Sequence, residues 1–445
     1  MSELVLVGIS HRVAGVELRE RVALGERAAA RVLTALCGER QIGEAVAIST
    51  CNRTELYLVG DPAHAERAAL EALAEHAEID PAELASSIYT LHNCDAARHL
   101  FRVTAGLEAM VLGEHEIGGQ VRRSFEAARA LGTTGPLASR LFAAAIQTGR
   151  RVRSETAIAR SHVSVSSVAV DLARGLLGDL EGRPVVIIGA GETSELTAQA
   201  LAARGAGTIF VANRHADRAR SLAERFGGQV RGLDRLPETL EQADIVVAST
   251  ASPHAIVGRD ELELVMAARE GRPLLLIDIA VPRDIDPACA EIEGVTLRDI
   301  DDLQSVVEHN LAGRAADMPA ADAIVEEEIL RFARWLGTLD ARPTIAALRG
   351  RADEIVERVL EENAGRWESA SARDLARIEA LARAVASRLL HEPTIRLASL
   401  DAERRHGSVE LLRDLFALRE GDAEAPPAPP EQVRDNVREL RRSQP

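Results

Sequence analysis

The stretch Ser49-Thr50-Cys51-Asn52-Arg53-Thr54-Glu55 sets a thiol among polar neighbours at the end of a β-rich run, EAVAIST. A free cysteine is usually an inert small hydrophobe. Three features point instead to a nucleophile. Cys51 falls at a strand-to-loop junction, where reactive residues concentrate. Arg53 is near enough in sequence to favour a thiolate electrostatically. Thr50 and Asn52 offer hydrogen bonds to a polar substrate. Cys37, Cys94 and Cys289 lack this setting and read as packing residues. A cysteine nucleophile captures an activated acyl group as a thioester, and a nicotinamide nucleotide could then reduce it.

A nucleotide signature is present. The strand-like VVII runs into Gly189-Ala190-Gly191-Glu192-Thr193-Ser194 and then a helical stretch. Glycine at 189 permits a tight turn, and glycine at 191 lets a pyrophosphate approach the backbone. The helix N-terminus adds N–H donors and positive dipole. Ser194 stands where a third glycine is common, so the strand–turn–helix context carries the assignment. The end of the next strand reads Asn213-Arg214, with Arg218 close by. NAD-specific folds place a carboxylate there for the ribose 2′-hydroxyl; guanidinium in its place favours a 2′-phosphate, hence NADPH. Ser249-Thr250-Ala251-Ser252-Pro253 ends a further strand, where small residues line the nicotinamide side.

These groups need elements to hold them. ELVLVGIS, EAVAIST and ELYLVG are strand-like, and ERAAARVLTAL, AARHLFRVTAGLEAMVLG and QVRRSFEAARALG are amphipathic helices, which makes an α+β domain over residues 1–157. From 158 to 305 the runs PVVIIG, GTIFVAN, ADIVVAST and PLLLIDIA alternate with helices, the rhythm of a Rossmann-like parallel sheet. Residues 306–340 read as a long linking helix, with a kink or break near 315–318 ahead of Pro319. Its stripes are Leu303, Val307 and Leu311, then Val325, Ile329, Phe332 and Leu336. Residues 341–420 form a helical bundle suited to packing between subunits, with helices near 344–363, 372–391 and 408–418. Residues 421–445, with PPAPP and little apolar content, read as a disordered tail.

The chain of 445 residues is too long for one core, and a net charge of −16 argues against wholesale coating of nucleic acid. One segment runs the other way. Residues 117–160 carry Arg122, Arg123, Arg129, Arg140, Arg150, Arg151, Arg153 and Arg160 against Glu126 and Glu155, either a solvated helix face or an RNA site. Aromatic content of 2% argues against a base-stacking platform. No apolar run reaches the roughly 18 residues of a membrane span. The N-terminus lacks the pattern of a signal peptide, and the scattered cysteines suit a reducing cytoplasm. No histidine or cysteine spacing suggests a metal site.

STCNRTELY resembles the nucleophile motif of the glutamyl-tRNA reductase family. So do GISHR, HLFRV at 99–103, VLGE at 111–114 with Gln120, and RVRSET at 151–156. GAGET, ANR, STASP, DIAVPRDI, DDLQ and HEPT follow in matching order, so the resemblance spans roughly residues 4–418. It implies NADPH-dependent reduction of glutamyl-tRNA(Glu) to glutamate-1-semialdehyde, the first step toward tetrapyrroles by the five-carbon pathway. Cys51 would carry the thioester, and His99 would transfer a proton or orient the substrate. Thr50, Asn52, Arg53, Ala109, Glu114, His115, Glu116 and Gln120 would line the glutamyl site. Arg53 would bind a substrate carboxylate, tune Cys51, or both. A homodimer is implied, and a reactive aldehyde product would suit contact with the following aminotransferase. With tRNA as substrate carrier, Arg150, Arg151 and Arg153 become candidates for phosphate contacts.

The chain departs from the family where serine is expected at Ala109, where Pro-Gln is usual at His115-Glu116, and in HRVAG where HKTAP is common. A carboxylate at 116 would repel a glutamyl side chain unless protonated, turned away or paired. Two rival readings share parts of the pattern: a shikimate-dehydrogenase-like enzyme, which needs no cysteine, and a non-catalytic paralogue that binds tRNA or NADP.

Overall fold

The structure is a computed structural model. It describes residues 3–38, 41–114, 116–156, 158, 165–213, 216–303, 318–367, 371–399, 402–416 and 418. Met1–Ile329 and Leu330–Pro445 form separate compact units.

The first unit holds two sheets. β1 (Glu3–Ser10), β2 (Ile42–Ser49), β3 (Arg53–Gly60) and β4 (Tyr89–His92) make an antiparallel sheet in the order β2-β3-β1-β4. β1 and β3 are central strands and their residues are buried almost throughout, which explains their lack of polar alternation. The helix Pro62–Ala77 starts on Asp61, whose side chain accepts the His64 N–H at 3.0 Å. A second helix, Pro136–Glu155, is capped from a distance: the Glu44 carboxylate of β2 accepts the N–H groups of Gly135, Leu137 and Ala138 at 2.9, 3.1 and 2.7 Å. A buried carboxylate there satisfies the orphan donors and meets the positive end of the helix dipole.

The second sheet is parallel. β5 (Val185–Ile188), β6 (Ile209–Ala212), β7 (Gln229–Arg231), β8 (Ile245–Ala248), β9 (Leu274–Asp278) and β10 (Val295–Arg298) lie in the order β10-β9-β8-β5-β6-β7. That is the doubly wound dinucleotide-binding order, with its switch point between β5 and β8. Both faces are covered, so VVII, IFVA, IVVA and LLLID are buried throughout.

A helix runs from Met318 to Glu362. Pro319 sits in its first turn, where a missing N–H costs nothing. The expected kink at 315–318 falls on residues outside the described set except for Met318, as do Val307, Leu311 and the tail 421–445. Val325, Ile329 and Phe332 are buried as their spacing predicts. In the second unit, the helix Ala372–Ser399 continues past residue 391 and through Pro393. Leu397 beyond the proline packs with Val409, Ile345 and Leu412, and that burial offsets the lost hydrogen bond. The helix Ala402–Leu415 completes the unit. Among the described residues no helix is long and apolar enough to cross a membrane.

Candidate active site

The β2–β3 connection is short and tightly held. Thr50 N–H donates to Arg53 O at 2.8 Å, Asn52 N–H to Thr50 Oγ1 at 3.2 Å, and His11 N–H to Asn52 O at 2.9 Å. Cys51 stands at its tip, partly buried. It packs against the core built by the parallel sheet, alongside Val16, Met110 and Val111. The thiol therefore faces the nucleotide-binding half.

Arg53 and Glu55 alternate on one face of β3 with Tyr57. Gly8 of β1 pairs with Glu55 on one side and Tyr89 of β4 on the other. A Cβ at Gly8 would come within 2.9 Å of Glu55 and 3.1 Å of Tyr89, so glycine lets the two side chains meet over the strand. There Glu55 accepts from Arg53 Nη1 at 2.7 Å, Tyr57 OH at 2.7 Å, Tyr89 OH at 2.7 Å and His99 Nε2 at 2.8 Å. Burial alone would raise the Glu55 pKa, but the charges of Arg53 and His99 and the hydrogen bonds hold it well below the usual range. His99 is thereby oriented with Nε2–H on the carboxylate.

Arg53 is 3% exposed. Its second terminal nitrogen donates to the Glu108 carbonyl, which brings Ala109 beside it. Glu108 is itself held by Arg12 and Arg102, each at 2.6 Å. The cation that acts on Cys51 is Arg19, whose Nη1 donates to the Cys51 carbonyl; the guanidinium of Arg53 is turned to Glu55 instead. This corrects the expectation that Arg53 tunes the thiol. Burial pushes the Cys51 thiol up to about 12, aided by the nearby carboxylates of Glu114 and Glu116 and opposed by Arg19. The thiol rests protonated.

Glu114 is raised to about 8, first by burial and then by Glu116. Glu116 opens the helix Glu116–Leu131 and is also raised, by burial and by Glu192; its carboxylate accepts from Thr193 Oγ1 at 3.4 Å. The carboxylate at 116 is thus directed to Thr193. Gln120 lies one turn further along the same helix, partly buried. His115 lies outside the described residues.

At the carboxyl ends of β5, β6 and β8 a crevice of about 420 Å³ is lined by Gly189, Ala190, Gly191, Asn213, Arg218 and the Ser249–Pro253 segment, among others. Gly189 has φ +123°, and a Cβ there would meet Ser249 O and Ser194 Oγ, each at 2.9 Å. Nothing lies within 4 Å of a Cβ position on Gly191, which leaves the backbone open to a phosphate. Thr193 lies in the first turn of the helix Glu192–Ala202. Ser194 is wholly buried and binds Ser249 Oγ at 2.7 Å, so it ties helix to sheet where a third glycine would pack. Glu192 is exposed and lines a neighbouring cavity with Arg218 and Arg225. Arg214 lies outside the described residues. No carboxylate ends β6, and the cradle fits a dinucleotide phosphate. Beside the Ser249–Pro253 segment, Asp284 accepts from Thr250 N–H at 2.7 Å, and Asp278, pushed up to about 7 by burial, accepts from Ala280 and Ile285 N–H at 3.0 and 2.8 Å.

The arginine-rich segment divides. Arg151 is committed to Glu155, Glu327 and Glu328, and Arg153 donates to Thr104 O at 3.2 Å. Arg150 is exposed and remains the outward candidate of that trio. Sequence reasoning missed Arg19, although its signal was present: Val16, Arg19 and Val22 share one helical stripe, and all three are buried.

A thiol domain packed on a doubly wound nucleotide sheet defines an oxidoreductase with a dehydrogenase-like nucleotide-binding domain. Glutamyl-tRNA reductase from Syntrophotalea carbinolica is 43% identical over 390 residues, covering 87% of this chain and 88% of that relative; the enzyme from Rubrobacter xylanophilus is 41% identical over 426 residues, covering 96% and 99%. The chain belongs to the glutamyl-tRNA reductase family. Residues 7–156 match the family model "Glutamyl-tRNAGlu reductase, N-terminal domain", 171–306 match "Shikimate / quinate 5-dehydrogenase", and 320–418 match "Glutamyl-tRNAGlu reductase, dimerisation domain". The shikimate-dehydrogenase rival thus accounts for the middle segment alone. The solved glutamyl-tRNA reductase from Methanopyrus kandleri is 33% identical, covers 94% of this chain and 100% of its own, and superposes with a TM-score of 0.50.

Proposed function

We propose that this chain reduces glutamyl-tRNA(Glu) to glutamate-1-semialdehyde with NADPH, through a thioester on Cys51, as the first step of tetrapyrrole synthesis in the cytoplasm. One observation supports it above the others. Among the described residues, the buried side-chain nitrogen and oxygen atoms without a partner are His11 Nδ1, Asn52 Oδ1 and Arg53 Nε, and all flank the Cys51 loop. Orphaned buried polar atoms are costly, and a cluster of them beside a thiol is what a polar substrate would satisfy.

In this reading Cys51 Sγ attacks the ester carbonyl at the tRNA 3′ end. The C–O bond breaks, tRNA leaves, and the glutamyl group stays as a thioester. Arg53 Nε–H is the donor free for a substrate carboxylate. His11 is held neutral, lowered to about 4 by burial and by Arg53, Arg19 and Arg12. The thiol proton ends on the departing 3′-oxygen of the tRNA, so the capture step balances as thioester plus free hydroxyl. When bound, NADPH would supply the hydride for the thioester carbonyl, leaving a hemithioacetal on Cys51 once its oxygen takes a proton. Cys51 then leaves as the C–S bond breaks, releasing the aldehyde. Gly189, Ala190, Gly191, Thr193 and Ser194 would hold the cofactor, and the absence of a carboxylate after β6, with Arg218 in the crevice, favours the 2′-phosphate.

The test is direct. Wild type mixed with charged glutamyl-tRNA should consume NADPH and form aldehyde; without NADPH it should accumulate a glutamyl adduct on the Cys51 peptide by mass spectrometry. Cys51→Ser should do neither. An inactive wild type, or a mutant that still reduces, would end this reading.

A further inference from the structure

Arg19 does more than neutralise its surroundings. It lies on the short helix Val16–Val22 and is 3% exposed. Burying a guanidinium is costly unless its N–H groups are matched. Here they are: Nε donates to Ala14 O at 3.2 Å, Nη1 to the carbonyl of Cys51, and Nη2 to the Asp301 carboxylate. The other Asp301 oxygen accepts Val16 N–H at 2.8 Å, at the start of the same helix. Asp301 is fixed in turn, since Asp299 Oδ1 accepts its N–H at 3.0 Å and that of Asp302 at 3.2 Å. Its neighbours Ile300 and Leu303 are buried in the core of the parallel sheet. One position along the helix, Glu20 accepts from Arg283 Nε at 3.0 Å and Nη2 at 2.6 Å, and Arg283 follows β9.

The helix is thus bound to the nucleotide half through two ion pairs, and only one of them also holds the nucleophile's own peptide. We propose that Arg19 is a positioning residue that ties the Cys51 loop to Asp301, setting the thioester carbonyl in register with the nicotinamide side of the crevice. The proposal rests on the thioester reading above. Acyl capture needs Cys51 and the aminoacyl end alone. Reduction also needs the captured carbonyl held against the other half, so the two steps depend on the tether differently.

Asp301→Asn separates them, because it keeps the size of the side chain and the Arg19 charge beside Cys51 while removing the ion pair. In the full-length protein without NADPH, its rate of glutamyl transfer to Cys51 should stay within about twofold of wild type. On adding NADPH to the preformed acyl-enzyme, reduction should fall by about tenfold or more, with the acyl group lost to water as free glutamate. Arg19→Lys, whose ammonium cannot span both partners, should show the same loss of reduction and gain in free glutamate, and carries the test if Asp301→Asn does not fold. Equal falls in acylation and reduction, or undiminished reduction, would overturn the tether. A wild type that forms no acyl-Cys51 would instead sink the thioester reading itself.

Discussion

The Glu55 carboxylate lies 2.8 Å from His99 Nε2, and it is the common acceptor for Arg53, Tyr57 and Tyr89. One anion therefore sets the geometry of His99 and of the arginine two residues from Cys51. It does so at the centre of the antiparallel sheet, over the only residue type small enough for position 8.

Glu55→Gln keeps the shape and deletes the charge. It leaves Arg53, 3% exposed, as an uncompensated buried cation. Breaking a buried pair from one side costs about 3–5 kcal/mol. Urea denaturation should show a loss of that size, and the folded fraction should show a lower kcat, since both His99 and Arg53 lose their anchor. A loss below about 1 kcal/mol, the range of a surface pair, would contradict the cluster.

Glu116→Gln restores the residue usual in the family and removes the charge that most raises Glu114. Glu114 has a folded pKa of about 8 against an ordinary 4.5. The folded state accordingly binds more protons between those values, and its contribution is present below pH 4.5 and lost as pH rises through 8. The variant should lose less stability than wild type between pH 5 and 8, read as melting temperature in matched buffers. A steeper loss in the variant would contradict the proximity of the two carboxylates.

Arg218→Ala tests the coenzyme preference. Arg218 lines the crevice where no carboxylate follows β6. Loss of a charged contact to a 2′-phosphate should weaken NADPH by about tenfold, near 1.4 kcal/mol, and leave NADH binding almost unchanged. Fluorescence titration with both nucleotides measures the difference. Equal weakening would place Arg218 away from the 2′ position.

Leu381, Val385 and Leu389 form one stripe on the helix Ala372–Ser399, exposed by 67%, 51% and 70% in the single chain. Large aliphatics so exposed, in a segment matching a dimerisation-domain model, form a surface that a second copy would cover. Leu381→Lys with Leu389→Lys should weaken self-association by at least about 2 kcal/mol. Sedimentation velocity should show a smaller species than wild type, with the circular dichroism of the helices retained.

Much of this was legible in the residues. VVII-GAGETS, read as strand, turn and helix, placed the nucleotide cradle, and the alternating apolar runs implied the parallel sheet, because a strand covered on both faces has no polar positions to spare. STCNR marked the β2–β3 loop as the candidate nucleophile site, and the order of motifs along the chain named the family. Even the polar cluster was half visible, as Arg53, Glu55 and Tyr57 repeat at the strand period of two.

What only the tertiary structure decided is which charges meet. Arg53 stands two residues from Cys51 in the chain, yet its guanidinium turns to Glu55, while Arg19 and Asp301, from distant segments, close on the thiol's peptide. Arg151 and Arg153, read as cations open to RNA, are engaged by Glu327, Glu328 and a backbone carbonyl. The physical reason is common to these cases. Residue type and local period decide which side chains are buried and which chemistry they carry. Electrostatic pairing acts through space, over a few ångströms, and is settled only when separate elements pack together.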